Sequence, residues 1–245
     1  MTEAIFINSG NAGIFPRFIR YLLLPLILLI VSGCGDKEQA QQQAFTDFLQ
    51  ASLLSSQSIK VPELTSDQQI KFGHYAKDYK IITDFHRKLD TELNSSLVPV
   101  FTNMNAVTSV NALLEQRNDL QKMAQTSQQW LDELKTIRQQ ADAQRDTLKQ
   151  PVAVKKVYDQ AYNKVVSQPA AVAEKIYTLL PEVLNQIVIK ADFIKSQGKN
   201  VTISGSTLQF SSQAQLDKYA AIQKQLVPLN AQLMVLSRQM QQMVN

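Results

Sequence analysis

From residue 38 onward, apolar side chains recur at steps of three and four, the period of an α-helix with one buried face. Glu38 to Gln57 sets Phe45, Phe48, Leu49 and Leu53 on one stripe. Pro62 marks a break, and Thr65-Ser66-Asp67-Gln68 reads as a capping box. In that box Thr65 accepts from a free helix amide while Gln68 reaches back to the cap. The second helix then places Phe72, Tyr75, Tyr79, Ile82, His86, Leu89 and Leu93 on its seam. Pro99 and the asparagines Asn103 and Asn105 predict another break, followed by a long helix from about Asn111 to Lys149. Its seam holds Leu113, Leu120, Met123, Trp130, Leu134, Ile137, Ala141 and Leu148, diluted by Gln116, Ser127 and Gln144.

Pro151 ends the long helix, and a shorter one carries Val154, Val157, Tyr158, Ala161, Tyr162 and Val165. Pro169 suits the first turn of the next helix, where its missing N–H costs nothing. Pro181 predicts a kink or a restart, and Gly198 fits the residue that ends a helix in a left-handed conformation. The period then changes from helical to alternating. Val201 and Ile203, then Leu208 and Phe210, flank a Gly205-Ser206 turn, the pattern of a β-hairpin. Ser212 and Gln215 form a second capping box. The last helix has the most regular seam, Tyr219, Ile222, Leu226, Leu229, Leu233, Leu236, Met240 and Met243, with a bend expected at Pro228. The expected fold is therefore mainly α: an elongated helical bundle, its seams sharing a coiled-coil-like heptad rhythm, with one small β-hairpin near 200–210.

The first 33 residues follow a different logic. Arg17 and Arg20 precede an apolar run from Tyr21 to Val31. That run is too short for a spanning helix, which needs about 20 apolar residues, and fits a signal h-region of about 7–15. Val31-Ser32-Gly33-Cys34 follows and is similar to the bacterial lipobox: an aliphatic residue, two small ones, then the cysteine whose thiol accepts a diacylglyceryl group. An ordinary signal peptide with a chance cysteine would not need charge, apolar length, small residues and cysteine in this order. The division expected is 1–33 as lipoprotein signal peptide and 34–245 as one periplasmic helical domain, lipid-anchored at Cys34. The segment before Arg17 is long for an n-region and carries Glu3.

Cys34 is the only cysteine, so its acylation leaves no thiol for disulfides or catalysis. Two acyl chains already give stable anchoring. Gly35, directly after it, is the sorting position: in the lipoproteins this chain resembles, aspartate there retains the protein in the inner membrane. Asp36 stands one place too late, which favours the periplasmic face of the outer membrane over the inner membrane.

Charge and chemistry narrow the functional classes. A net charge of +4 over the whole chain, from which the signal removes two arginines and one glutamate, argues for no nucleic-acid partner. His74 and His86 are the only histidines. Twelve residues apart at about 100° each, they diverge by about 120° and cannot chelate one metal unaided. His86 has Asp90 one turn on and Asp84 nearby, which could be drawn as a base with its orienter; a half-buried seam histidine with a local carboxylate is the simpler reading. Ser204-Gly205-Ser206 lacks the Gly-x-Ser-x-Gly elbow, and the seven glycines form no phosphate-cradling loop. The carboxylates read as solvated pairs on helix faces. No catalytic residue, metal or cofactor is expected.

Over nearly all of the mature chain the sequence resembles the YiaF-like lipoproteins of enterobacteria, a family of unknown function. The matching residues include Asp36-Lys37-Glu38, Ala44-Phe45, Asp47-Phe48-Leu49-Gln50, Leu64-Thr65, Phe72-Gly73 and Asp78-Tyr79. Ala141-Asp142-Ala143, Asp159-Gln160-Ala161, Lys164-Val165-Val166, Pro169-Ala170 and Gln209-Phe210 continue the match. The resemblance implies a lipid-anchored envelope protein and supplies no active site. The leading expectation is a non-enzymatic scaffold or interaction module, with an envelope protein as possible partner. The alternative is a small-ligand or lipid-binding module using a cleft roofed by Val201, Ile203, Leu208 and Phe210. An open cavity beneath that roof would favour binding, and a filled one scaffolding.

Overall fold

The computed structural model describes residues 35–244. Cys34 and the signal segment lie outside the described residues. Helix α1 covers residues 35–49 and widens into a π-helical turn at Gln50–Leu54. Its inner stripe is fully buried at Phe45, Leu49 and Leu53. Phe45 stacks on Tyr75 with ring centroids 5.4 Å apart, and Phe48 sits between Phe72 and the edge of Tyr79.

Helix α2, Ser66–Phe72, opens on the expected capping box: Gln68 N donates to Thr65 Oγ1 and Thr65 N to Gln68 Oε1. The single second helix expected from the seam is in fact two. Gly73 takes φ +58° and turns the chain into α3, Tyr75–Ala106. The backbone angle is what calls for glycine; a Cβ there would also come within 2.4 to 2.6 Å of the Gln41 side-chain amide, which would have to swing aside. The apolar seam continues across the break, which is why periodicity did not reveal it.

The break expected at Pro99, Asn103 and Asn105 is absent, and α3 runs through Pro99. Leu97 and Val100 are buried on either side of the proline, and that packing outweighs one lost backbone hydrogen bond. The chain breaks instead at Val107, and Ser109 caps α4, Val110–Asp146. Helix α5, Val152–Tyr162, likewise does not end before Pro169. A π-helical turn at Asn163–Ser167 carries it directly into α6, Gln168–Gln197, which continues through Pro181. That turn faces the π-turn of α1. Lys164 Nζ donates to the carbonyls of Leu53, at 2.7 Å, and Ser56, satisfying acceptors that the end of α1 leaves open.

Gly198 ends α6 at φ +55°, as expected. Strands β1, Val201–Ser204, and β2, Thr207–Phe210, pair antiparallel with Ile203 opposite Leu208 and Val201 opposite Phe210. Ser212 and Gln215 cap α7, Gln213–Val244, which passes Pro228 as one helix. All eight expected seam residues of α7 are buried or half-buried, with Leu233 at 2% exposure.

The long helices lie antiparallel in sequence, α3 on α4, α4 on α6 and α6 on α7. Bridges across them show the alignment: Lys88 to Gln140, Arg117 to Asp192 by two bonds of 2.7 Å, and Arg138 to Ser167. At 1.5 Å per residue, α4 spans about 55 Å. One end of the bundle gathers the starts of α1, α3 and α5. The other carries the hairpin, where Gly205 O accepts from Val110 N at 3.2 Å.

Candidate functional site

Gly35 is the first described residue and already belongs to α1. A Cβ built there meets nothing within 4 Å, so the position expected to govern sorting is open to substitution. The next turn is fixed to the body. Tyr75 Oη donates to Glu38 Oε1 at 2.7 Å, and that hydrogen bond holds the Glu38 carboxyl below its usual range. Burial first, and then this bond, push the Tyr75 hydroxyl upward. The residue after Cys34 therefore starts a docked helix, with no linker between.

The two histidines stay apart in role. His74 lies against the Tyr75 ring, its Nδ1 3.9 Å from Glu38 Oε2. His86 lines a shallow groove with Glu63, Arg87, Asp90 and Asn94. Asp84 does not orient it, being held by Lys80 at 2.6 Å and Arg87 at 2.7 Å.

The roof of the expected ligand cleft is packed from below. Phe210 lies 5.9 Å from Phe193 and 5.3 Å from Tyr219, and Ile203 and Leu208 pack on the core. The larger opening lies elsewhere, between α6 and α7. It is a groove of about 860 Å³ floored by Ala171, Leu179, Ala231 and Leu236, with Val235 62% exposed on one wall. Glu174, Lys175, Thr178 and Glu182 form the opposite rim. Val235 forms this wall outside the buried seam of α7, on a second apolar stripe with Ala231 and the exposed Val227 and Met234, and the regularity of the seam hid it. Chemically the groove suits an apolar guest; Thr178 Oγ1 is turned back to the Glu174 carbonyl.

One buried polar cluster was also missed. Glu92 sits on the inner face of α3 at 9% exposure, in the stripe Phe85, Leu89, Glu92, Ser96. Ser96 Oγ donates to the Glu92 carbonyl at 2.6 Å and lies 2.5 Å from Tyr177 Oη. Among the described residues, Glu92 Oε1 is sealed from solvent without a hydrogen-bond partner. Burial, then the facing Glu133 carboxyl of α4, push Glu92 up to about 7. Two carboxyls facing each other disfavour the charged form of both, and burial disfavours it further. The cluster can hold and release a proton, but Oε1 has no surface to offer a substrate. The expectation that carboxylates lie on wet helix faces fails here and at Asp78. That residue is 7% exposed and raised by burial, although Gln150 donates to it at 2.6 Å.

Residues 22–245 match the family described as "Protein of unknown function (DUF3053)". The chain belongs to this family. It is 32% identical over 216 residues to "Uncharacterized protein YiaF" of Escherichia coli K12, covering 88% of this chain and 90% of that one. The proteins of the same name from Escherichia coli O157:H7 and Shigella flexneri match to the same extent. No solved structure matches. The family expected from the quoted residues is thus the right one, and neither its description nor the names of these relatives give an activity. The matched region takes in Val31 to Cys34 and leaves out residues 1–21, which include the long segment before Arg17.

Proposed function

We propose that this protein is a lipid-anchored, non-enzymatic envelope scaffold, held through Cys34 at the periplasmic face of the outer membrane. The observation that carries the reading is the start of α1. One peptide bond after Cys34 the chain enters a helix whose Phe45, Leu49 and Leu53 are buried in the core. A long tether would suit a domain that searches; a docked helix suits one held at a set height. The antiparallel α3 and α4 then carry the hairpin away from the anchor, over a span of about 50 Å, with the α6/α7 groove part-way along, beside Trp130 and Leu134 of α4.

The test is site-specific photocrosslinking in intact cells. A photoreactive residue at Val235 or Ser206 should join a discrete envelope protein, and Met234→Arg should abolish the product from Val235. Absence of any protein product from these positions would overturn the scaffold. A second reading, an apolar-ligand or lipid carrier, is favoured by the α6/α7 groove, whose volume falls within the roughly 300–1,000 Å³ of small-molecule sites. It requires that a fluorescent fatty acid bind the purified protein and that Ala231→Trp, which fills the floor, prevent binding.

A further inference from the structure

The end of the bundle that bears the anchor has its own surface chemistry. Glu38 to Tyr75, Gln41 against Gly73, and Gln150 to Asp78 place the α2–α3 corner and the α4–α5 turn beside the first turns of α1 and α3. Two of the chain's most exposed aliphatic residues lie in those segments: Ile70 at 77% in the last turn of α2, and Val152 at 87% in the first turn of α5. Lys37, Lys71, Lys149 and Lys156 are exposed in the same segments. Among the described residues, none of these four lysines has an ion-pair partner (Lys155 is held by Asp159). Asp36, Asp67 and Asp146 are exposed acids there, Lys77 is a further exposed lysine, and Glu38 is held by Tyr75.

We propose that this end is a lipid-docking face, on which Ile70 and Val152 enter the headgroup layer of an anionic bilayer while the lysines pair with its phosphates. The proposal rests on acylation of Cys34, which fixes the occupant. Consecutive Cα atoms are about 3.8 Å apart, so an acylated Cys34 holds the first turn of α1 at the bilayer surface. The lysines then stand within roughly one screening length, about 8–10 Å, of the headgroup charge. The lipid anchor and the face act together: the anchor supplies residence, the face supplies orientation, and the hairpin end points into the periplasm.

Acylation of Cys34 leaves no other thiol, so single labels can be placed cleanly. Acylated full-length protein carrying Val152→Cys or Ser206→Cys is labelled with an environment-sensitive fluorophore. It is then reconstituted in vesicles of phosphatidylethanolamine and phosphatidylglycerol containing a lipid-borne quencher. The label at 152 should be quenched severalfold more than the label at 206. Equal quenching in protein that floats with the vesicles overturns the docking face and leaves the anchor standing.

The anchor-independent arm uses the chain from Gly35 onward. Its buried hydrophobic residues form one cluster running from Phe45 to Met240, so it keeps the whole described core. It should float with phosphatidylglycerol-containing vesicles and not with phosphatidylcholine alone. Each lysine near an anionic surface is worth roughly fivefold in partition. Lys71→Gln, Lys149→Gln and Lys156→Gln together should therefore weaken flotation roughly a hundredfold with the fold intact by circular dichroism. Undiminished binding of the triple variant overturns the proposal. Charge-dependent flotation in a protein found not to be acylated would leave the face standing and remove the anchor.

Discussion

Exchanging Glu92 for glutamine removes one titrating group and almost no volume. In the unfolded chain this carboxyl titrates near 4.5, and in the fold it is pushed up to about 7. Between those values the folded chain binds more protons than the unfolded one, so this group's contribution makes stability fall as pH rises through the interval. Each tenfold change in proton affinity is worth about 1.4 kcal/mol, which sets a ceiling near 3 kcal/mol for Glu92 at pH 8. Glu133, whose carboxyl faces Glu92, is exposed. Solvent screens that half of the pair, and about 1–2 kcal/mol is the expected cost. Glutamine mimics the protonated acid at every pH. Glu92→Gln should melt roughly 2–6 °C above the wild type at pH 8 in a domain of this size. The gap should shrink steadily as the pH is lowered to 5. Melting followed by circular dichroism at closely spaced pH values reads this directly. A gap that does not vary with pH, or a variant less stable at pH 8, would refute this account of the buried Glu92 carboxyl.

Leu233→Ala in the α7 seam should cost about 2–5 kcal/mol, as large-to-small core changes do, while Gln232→Ala on the wet side should barely move the melting temperature. Gly73→Ala forces a side chain onto a left-handed backbone and into Gln41. It should cost about 1–3 kcal/mol, and adding Gln41→Ala should recover only the steric part, leaving the backbone strain. Gly35→Asp should shift the protein from outer-membrane to inner-membrane fractions with an unchanged melting temperature, since a side chain there meets open space. An equal distribution in both forms would remove the sorting assignment.

What was legible in the chain was chemistry that closes within a few residues. Thr65 with Gln68, Ser212 with Gln215, Gly198, and the alternation around Gly205 each form their contacts inside one turn. Prolines misled because their local cost is small beside burial. Leu97 and Val100 flank Pro99, and Leu180, Val183 and Leu184 flank Pro181; all five are buried, and the helices run on. Gly73 misled in the opposite direction, since Phe72, Tyr75 and Tyr79 keep the seam in phase across a real break. Glu92 could be seen as a carboxylate at a seam step. Its character, however, comes from burial and then from Glu133 on α4, an environment assembled only by the fold. The α6/α7 groove depends on how two helices splay along a shared seam, which no single helix records.

The account stands or falls on Cys34. Mass spectrometry of the N-terminal peptide, from protein extracted with detergent out of the cell envelope, tests it most directly. The expected peptide begins at Cys34 and carries a diacylglyceryl thioether and an amide-linked acyl chain. A peptide in which Gly33 still precedes an unmodified Cys34, or a mature chain beginning elsewhere, would contradict the anchor and the orientation built upon it.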